Sequence, residues 1–496
     1  MLAAVITARN NKEAINDIKK AKDADLIELR IDYIKSFDCN LIKKIKKNLK
    51  KPVLITCRKK DEGGLFNANE GKRIEVLENG IKFGADYMDI EYSSSKDSIK
   101  HLLKNRKNTK VIVSYHNFKE TPKNIKNIYN NIKKLNPDLI KIVTNANSVT
   151  DNFKILDLIK TANKEKKKII AFCMGSYGQF SRILSIILGS QITYASTGMG
   201  KESASGQPTI KEFADNYRIK ELNRDTKIVG LIGNPVEHSW SHIIHNSGFD
   251  KLNINAVYLK FKVDELKEFI DYFKKLNILG FSVTIPHKIK VMDYLDMIDK
   301  KAKTIGAVNT IVVKNKKLIG YNTDCDGAIS ALKEKTKLKN KNVAVIGAGG
   351  STRAVVYGLK EENANEITIF NRTIEKAKVI AENFKCSYGS LNDLKNVNYD
   401  VLINTTSVGM YPDVDSSVIP SDLIKKKSVI FDIVFNPYKT KLIEDAEKRG
   451  CITIPGFEML INGAVLQLEL WTNKSAPEKF MRKKVLEYIK NASHKN

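Results

Sequence analysis

The chain has 496 residues, 42% of them hydrophobic, and a formal net charge of +28. This length exceeds one typical core, so roughly two or three domains are expected. No apolar run reaches the roughly 18–20 residues that cross a bilayer, which argues against a membrane partner. Because the lysines are spread along the chain and not clustered, the sequence predicts no nucleic-acid partner, although a basic surface favours anionic substrates.

The cysteines and the N-terminus together predict a cytoplasmic location. MLAAVITARN begins directly with a strand and lacks the charged start and cleavage site of a signal peptide. The cysteines are scattered without a CxxC pair, which fits a reducing compartment and predicts no metal site. They are Cys39, Cys57, Cys173, Cys325, Cys386 and Cys451.

The first 215 residues alternate apolar strands with lysine-rich amphipathic stretches. Eight such units, with strands that are apolar throughout, predict a closed (β/α)₈ barrel over residues 1–215. An open doubly wound sheet is the alternative that this pattern leaves open. The predicted strands are Ala3–Thr7, Leu26–Arg30, Val53–Cys57, Tyr87–Glu91, Val111–Tyr115, Leu139–Val143, Ile169–Met174 and Ile192–Ala195.

The rest of the chain predicts a linker and two further α/β regions. Residues 216–226 are polar and read as the linker, and residues 227–330 form a smaller α/β domain. Residues 331–455 carry a Gly-rich loop of the Rossmann type. Residues 456–496 are predicted to be C-terminal helices that return to the smaller domain, with one helix over Glu458–Thr472. The basic tail from Lys474 onward is expected to be exposed.

Charged and polar side chains cluster at the C-terminal ends of the predicted barrel strands, where barrel enzymes place their chemistry. So many charges would be costly to desolvate without a ligand, which favours an anionic, hydroxyl-rich substrate. Arg58 and Arg182 are candidates to clamp a carboxylate, the alternative being a surface ion pair, for Arg58 with Glu62. The set is Glu28, Arg30, Arg58, Glu62, Asp89, Glu91, His116, Lys141, Arg182, Ser203 and Gln207.

Lys141 lies inside an apolar strand, LIKIV, and is the candidate nucleophile. An amine near arginines could attack a ketone to form a Schiff base, but an ion pair with Asp89 or Glu91 is equally open. His116, in VSYHN, could act as general acid and base beside such an imine. Its alternative is a polar residue satisfied at a strand end.

The motifs of the first half, in this order, resemble type I 3-dehydroquinate dehydratase. They are ELRID at Glu28–Asp32, CRKKDEGG at Cys57–Gly64, MDIE at Met88–Glu91, SYHNF at Ser114–Phe118, DLIKIVT at Asp138–Thr144, FSRI at Phe180–Ile183 and ESASGQPT at Glu202–Thr209. The resemblance implies a metal-free dehydration of 3-dehydroquinate through a Schiff base. An iminium acidifies the adjacent C–H far more than a ketone does, whatever the family.

On that resemblance, Lys141 forms the imine with the C3 ketone. His116 removes a C2 proton and then helps the C1 hydroxyl to leave as water, and Glu62 assists His116. The residues that the resemblance assigns to substrate binding are Glu28, Arg30, Arg58, Asp89, Arg182, Ser203 and Gln207.

VAVIGAGGSTRAV at Val343–Val355 has the strand–turn–helix pattern of a dinucleotide-binding loop. The sixth position of its GxGxxG pattern is Thr352 and not Gly or Ala. The next strand ends in IFNRT, where Arg372 suits a ribose 2′-phosphate better than a 2′-hydroxyl. The sequence therefore favours NADP over NAD, with a solvent-facing Arg372 as the alternative.

A lysine and an aspartate precede this loop. Lys288 follows the proline-fixed turn TIPHK, and Asp324 follows GYNT. Such a pair can relay the proton that accompanies hydride transfer between a carbinol and a ketone. The alternatives are an ordinary structural ion pair, or two side chains that never meet.

The motifs of the second half resemble shikimate dehydrogenase, again in order. They are NPVEHSWSH at Asn234–His242, VTIPHK at Val283–Lys288, GAVNT at Gly306–Thr310, NTD at Asn322–Asp324, GAGG at Gly347–Gly350, NRT at Asn371–Thr373, NTTSVGM at Asn404–Met410 and PGFEMLINGA at Pro455–Ala464. The resemblance implies reversible NADP-dependent reduction of 3-dehydroshikimate to shikimate.

The resemblance also implies site residues, with Lys288 and Asp324 as the catalytic pair. The implied substrate contacts are Ser239, Ser241, Thr284, Asn309 and Gln467. The implied cofactor contacts are Gly347, Gly349, Gly350, Ser351, Asn371, Arg372 and Thr373.

Two positions depart from the family pattern and bear on the affinity of the second site. Gly463 stands where the family has a substrate-binding glutamine, with Gln467 one turn later, and Phe435 stands where the family usually has tyrosine. A catalytically weak second half, or one that uses quinate and NAD, are therefore open alternatives, although Arg372 argues against NAD. A basic nucleic-acid-binding protein is a third, but it leaves both motif sets unexplained.

The two implied reactions are consecutive, because the product of the first is the substrate of the second. The sequence therefore predicts a bifunctional enzyme whose partners are 3-dehydroquinate, 3-dehydroshikimate and shikimate. It leaves the oligomeric state open, a homodimer included.

Overall fold

The computed structural model describes residues 1–493 as an α/β protein with three sheets. The chain divides into two compact units. One contains residues 1–226 and the segment Phe261–Tyr272, and the other contains Lys227–Lys260 and the chain from Phe273 onward. The division thus follows the end of the predicted linker, but it separates Phe261–Tyr272 from the rest of the predicted 227–330 domain.

The first unit contains an eight-stranded parallel sheet in the order β7-β6-β5-β4-β3-β2-β1-β8. Strand β1 pairs with both β2 and β8, while no ladder joins β7 to β8 within the described chain, so the predicted barrel is nearly closed. The strands are β1 Leu2–Ile6, β2 Leu26–Arg30, β3 Val53–Thr56, β4 Tyr87–Glu91, β5 Lys110–Asn117, β6 Leu139–Asn145, β7 Ile169–Met174 and β8 Thr193–Ser196.

Helices follow the strands, as expected for a parallel sheet whose strands are buried on both faces. Local caps fix several helix starts, and the last helix of the barrel begins at a capping box between Thr209 and Glu212. The helices are α1 Asn11–Lys20, α2 Asn40–Leu49, α3 Glu70–Lys82, α4 Lys96–Asn105, α5 Ile125–Lys134, α6 Val149–Lys164, α7 Ser181–Ile187 and α8 Ile210–Asp215.

The second sheet is mixed and has the order β10-β9-β11-β13-β14-β12. Strand β11 pairs in parallel with β9 and antiparallel with β13, so the ends of β11 and β13 bring SVTIPHK beside GAVNT. The strands are β9 Lys227–Gly233, β10 Ala256–Lys262, β11 Ile278–Val283, β12 Met297–Ile298, β13 Thr310–Lys314 and β14 Lys317–Tyr321. The helices are α9 Ser241–Lys251, α10 Leu266–Phe273, α11 Lys300–Ile305 and α12 Asp324–Lys333.

The third sheet is fully parallel and has the order β17-β16-β15-β18-β19-β20. Its strand order reverses at β15, which pairs with both β16 and β18, and ligands of such sheets bind at this point. The strands are β15 Val343–Ile346, β16 Ile367–Phe370, β17 Ser387–Gly389, β18 Val401–Asn404, β19 Val429–Asp432 and β20 Ile452–Ile454. The helices are α13 Gly350–Glu361, α14 Ile374–Phe384 and α15 Lys441–Lys448.

Two C-terminal helices complete the second unit, α16 Gly456–Thr472 and α17 Glu478–Ser493. Helix α16 contacts α9, α12 and the second sheet, while α17 packs on α9 and buries Met481 and Val485 completely. Most described residues from Lys474 onward are exposed or half-buried, as expected, but Met481 and Val485, two apolar residues four apart on one face of this lysine-rich helix, are buried. Residues 494–496 of the predicted 456–496 segment lie outside the described residues. Among the described helices, none combines the length and the apolarity that a membrane crossing needs.

The packing of α17 yields a stability prediction. Met481→Ala should lower the free energy of unfolding of the second unit by about 2–5 kcal/mol, because it leaves a cavity under α17. Both tryptophans of the chain, Trp240 and Trp471, lie buried in this unit, so their fluorescence during denaturant unfolding reports on it alone.

The matched control is Lys483→Ala on the same helix, whose side chain is 73% exposed. It should shift stability by less than about 0.5 kcal/mol. Equal effects of the two substitutions would contradict the packing of α17.

Candidate active sites

The C-terminal ends of the barrel strands converge on one small cavity. The structure brings together there all the predicted residues of the first half except Asp89 and Glu91, which lie fully buried below it. The lining residues are Glu28, Arg30, Arg58, Glu62, Gly63, His116, Phe118, Lys141, Val143, Phe172, Met174, Arg182, Tyr194, Ser203, Ala204 and Gln207.

Lys141 is buried and lies between a carboxylate and an aromatic ring. Its Nζ is 2.9 Å from Oδ2 of Asp89 and 4.4 Å from the centre of the Tyr194 ring. Burial by itself would raise the pKa of Asp89, but Arg58 and Lys141 hold it well below its usual value. The ion pair between Lys141 and Asp89, one of the alternatives that the sequence left open, therefore exists, with Lys141 lining the cavity and Asp89 fully buried.

Arg58 shares these carboxylates. It donates to both oxygens of Asp89 at 3.0 and 2.9 Å, to Glu91 at 2.9 Å and to Ser114 at 2.8 Å. The alternative of a surface ion pair with Glu62 is thus wrong, because Arg58 is buried. Most of its N–H groups serve buried acids, which fixes its side chain beneath the cavity.

Arg73 was missed by the sequence reasoning. This buried residue of α3 donates to Glu91 at 2.5 Å, to Ser94 at 2.6 Å and to Glu70 at 2.9 Å. Arg73 thereby connects helix α3 to the row of alternating charges formed by Lys141, Asp89, Arg58 and Glu91. Nothing in its local sequence, EGKRIEV, distinguishes it from an exposed helix residue.

His116 is held by Glu62 and lies next to the cavity. Its Nδ1 is 3.0 Å from Oε2 of Glu62, which also accepts from the backbone N–H of His116 at 3.1 Å. Burial, together with Arg58 and Lys141, lowers the pKa of His116 well below its usual value, while burial raises the pKa of Glu62. With Nδ1–H donated to Glu62, the Nε2 of a neutral His116 is left to accept a proton.

Arg182 is buried without an acidic partner. Among the described residues no carboxylate pairs with it, its Nε has no hydrogen-bond partner, and it donates to the carbonyl of Ser205 at 3.3 Å. Its guanidinium lies 4.7 Å from the Phe172 ring, and burial lowers its pKa to about 10. Such a buried cation on the cavity wall has the chemistry to hold an anion.

A loop after β8 covers the cavity. The backbone N–H and the hydroxyl of Ser203 donate to Oε1 of Gln207 at 2.7 and 3.1 Å, which keeps both side chains together. Phe172, Met174 and Tyr194 supply apolar walls that the sequence reasoning did not name. Period-two alternation along β7 puts Phe172 and Met174 on one face and could have identified them.

In the second unit, Lys288 and Asp324 meet. Nζ of Lys288 is 2.5 Å from Oδ2 of Asp324, and Asn309 donates to the other carboxylate oxygen at 2.7 Å. The alternative that the two never meet is therefore wrong. Both side chains are about one-seventh exposed, at 13% and 16%, so the pair is accessible from solvent.

The glycine loop after β15 fits a dinucleotide. Gly347 has φ +122°, and a Cβ there would lie 2.4 Å from the hydroxyl of Thr405. A Cβ at Gly349 would meet nothing within 4 Å, so the space before the N-terminus of α13 is open. A helix N-terminus is where a pyrophosphate is stabilised. The hydroxyl of Thr352, the departure from GxGxxG, accepts from the Gly349 N–H at 3.0 Å and orders the loop.

The end of β16 carries the predicted specificity residues. Asn371 donates to the carbonyl of Thr373 at 2.8 Å, which folds the turn, and Arg372 is exposed beside it. Among the described residues, no ion pair engages Arg372. A free guanidinium at this strand end fits a 2′-phosphate, so these residues fit NADP.

The predicted substrate contacts of the second half divide into two groups. Ser239 and Ser241 lie together, with their hydroxyl oxygens 3.0 Å apart, and Thr284 follows β11 close to Lys288 in the chain. Gln467 instead lies in a buried network. Its Oε1 accepts from Ser282 at 2.9 Å. Gln467 stays a prediction as a substrate contact, and in this structure its carbonyl and amide groups are bonded inside the protein.

The two departures from the family pattern have different surroundings. A Cβ at Gly463 would meet only Thr323, at 3.7 Å, so the helix leaves room beside the residue that precedes Asp324. Phe435 packs 5.5 Å from the Trp240 ring within an apolar cluster. Within residues 1–493, no group of three or more His, Cys, Asp or Glu could hold a metal ion.

Comparison with known protein families matches one family to the first half of the chain and another to the second half. The family model for type I 3-dehydroquinase matches residues 2–224. The models for the shikimate dehydrogenase substrate-binding domain, for shikimate/quinate 5-dehydrogenase and for the shikimate 5′-dehydrogenase C-terminal domain match residues 231–311, 330–439 and 456–486.

Relatives span the whole chain. The chloroplastic bifunctional 3-dehydroquinate dehydratase/shikimate dehydrogenase of Arabidopsis thaliana is 37% identical over 96% of this chain and 83% of its own length. The chain belongs to this bifunctional family. The shikimate biosynthesis protein AroDE of Chlamydia pneumoniae is 33% identical over 95% of both chains. A crystal structure of shikimate dehydrogenase with NADP⁺ is 41% identical, covers 54% of this chain and 97% of its own, and has a TM-score of 0.51.

The bifunctional assignment confirms the fold and cofactor that the sequence predicted. The first half is a type I 3-dehydroquinase, a lyase, and the second half is an NADP-dependent shikimate dehydrogenase, an oxidoreductase. Both belong to the shikimate pathway.

The environment of His116 predicts the pH dependence of dehydration. Because its pKa lies well below the usual 6.5, the neutral base persists as the pH falls through 6.5. The acid limb of kcat/KM for 3-dehydroquinate should therefore appear only below pH 6.5. A limb at or above pH 6.5, in enzyme that recovers full activity on return to neutral pH, would contradict a base desolvated in this way.

Proposed function

We propose that the chain catalyses two consecutive steps, dehydration of 3-dehydroquinate at the barrel and reduction of 3-dehydroshikimate at the second site, with the residues described above in named roles. The observation that carries the first site is Arg182, a buried cation without a carboxylate partner in a cavity whose other arginines are paired. The carboxylate of 3-dehydroquinate supplies the missing anion.

Dehydration begins at Lys141. Its Nζ, after giving up a proton, attacks the C3 carbonyl, and the oxygen leaves as water to form an iminium. His116 then takes a proton from C2, and the C1 hydroxyl leaves with that proton as a second water. Water hydrolyses the imine to release 3-dehydroshikimate, so the net loss is one water. Asp89 keeps Lys141 in place, and Glu62 orients His116 for both proton transfers.

Substrate binding in the barrel is assigned to the remaining polar lining. Arg182 holds the carboxylate, and the loop of Ser203 and Gln207 contacts it from above. Glu28 and Arg30 face the ring hydroxyls, whereas Arg58 and Asp89 act from beneath by fixing Lys141. This last point modifies the sequence-based assignment, because the structure gives Arg58 to carboxylates.

In the second site, bound NADPH supplies the hydride for the ketone of 3-dehydroshikimate. Lys288 donates the proton to the nascent alkoxide, and the amine then regains a proton from solvent through Asp324, which Asn309 orients. Ser239, Ser241 and Thr284 are assigned to the substrate. The residues assigned to the cofactor are Gly347, Gly349, Gly350, Ser351, Asn371, Arg372 and Thr373.

We further propose that the enzyme works in the cytoplasm, supported by six cysteines that are all free of disulfides. The Arabidopsis relative is named as a chloroplastic protein, so membership of the family does not by itself fix the compartment. The oligomeric state stays open, a homodimer included, and sedimentation of the purified chain would determine it.

Single lysine substitutions should separate the two activities. Lys141→Ala should lower dehydration at least about a thousandfold, because the nucleophile is lost, and leave shikimate oxidation unchanged. Lys288→Ala should do the reverse. Each reaction is assayed separately, and borohydride with 3-dehydroquinate should trap a covalent adduct in the wild type and in Lys288→Ala only. Loss of both activities in one folded variant would contradict two independent sites.

Arg182→Met should separate binding from stability. The KM for 3-dehydroquinate should rise at least about thirtyfold, since losing a buried charged contact costs about 2–5 kcal/mol. The melting temperature of the first unit should stay the same or rise, because an unpaired buried charge is removed. A large loss of stability would show that Arg182 has an ion partner in the free enzyme.

A further inference from the structure

Ser351 lies at an unexpected position in the second site. As part of the glycine loop it is assigned to the cofactor, yet its hydroxyl oxygen lies 3.0 Å from Nζ of Lys288. Lys288 belongs to the segment after β11, and Ser351 belongs to the first turn of α13. The contact therefore connects the catalytic lysine to the dinucleotide loop.

The hydrogen bonds around Lys288 leave one direction free. An ammonium has three N–H donors. One points to Oδ2 of Asp324 at 2.5 Å and one to the hydroxyl of Ser351 at 3.0 Å. With the Cε bond and two N–H bonds fixed, the third N–H has a single remaining direction. Because Lys288 and Asp324 are both partly exposed, this direction is available to a substrate in the cleft.

The stem of Lys288 is held against the same loop. A Cβ at Gly350 would lie 3.1 Å from Cβ and 3.3 Å from Cδ of Lys288, so a larger residue there would push the lysine stem away by a few tenths of an ångström. On the other side, the carbonyl of Lys288 accepts from the N–H of Val308 at 2.7 Å. The lysine is therefore packed between GAVNT and the glycine loop, and Ser351 bonds its free end.

We propose that Ser351 is a positioning residue, which holds the amine of Lys288 so that its free N–H points at the substrate oxygen and thereby links proton transfer to the placement of the dinucleotide loop. This inference rests on the proposed role of Lys288. Ser351 takes no proton in the reaction, and its hydroxyl only accepts from the lysine. A contact to the cofactor alone is the competing role.

The test compares three variants in shikimate oxidation with NADP⁺. At saturating NADP⁺, Ser351→Ala should lower kcat between about 5-fold and 100-fold, because Lys288 without this hydrogen bond spends less time aligned with the substrate, whatever the loss of the assigned cofactor contact does to KM and Kd for NADP⁺. Ser351→Thr, which keeps the hydroxyl, should recover most of the lost kcat. Ser387→Ala, which removes an exposed hydroxyl at the sheet edge, is the matched control.

Three results would overturn the proposal. One is an unchanged kcat with a raised KM for NADP⁺, which would make Ser351 a cofactor contact alone. Another is no change in either constant, and the third is a loss of kcat that Ser351→Thr does not restore. Failure of the proposed function is distinguishable, because Lys288→Ala would then retain shikimate oxidation in the same assay.

Discussion

Each half of this enzyme depends on a lysine amine held beside a carboxylate. Lys141 and Asp89 form this pair in the barrel at 2.9 Å, and Lys288 and Asp324 form it in the dehydrogenase at 2.5 Å. A lysine without such a partner samples many rotamers and stays hydrated. Its amine would then not be oriented for attack on a ketone or for proton transfer. The surrounding residues keep one rotamer and one protonation partner for each amine.

The two halves meet this constraint by different means. The barrel uses burial, where Arg58 and Lys141 hold the pKa of the Asp89 carboxyl well below its usual value and Arg73 pairs with Glu91. Removing one member would leave an unpaired buried charge, so the network is rigid. The dehydrogenase leaves its pair partly open and uses neutral donors and acceptors, Asn309 and Ser351, so the lysine can exchange a proton with the cleft.

The chemistry explains this difference. Dehydration proceeds through a covalent iminium that must be shielded from premature hydrolysis, which fits the burial of Lys141. Reduction is reversible and requires a cofactor and a substrate to enter one cleft. There the loop glycines permit close approach, and Gly463 leaves additional room beside Thr323.

The sequence by itself determined the eight barrel strands, the glycine loop, helix α16 and the charged and polar residues that line the barrel cavity. Strand periodicity and loop chemistry are local, and a parallel fold brings strand ends together without further information. Only the tertiary structure decided that Arg58 pairs with Asp89, 31 residues away, and that Gln467 bonds Ser282, 185 residues away. Such partners are chosen by three-dimensional proximity and desolvation, which leave no periodic signal in the chain.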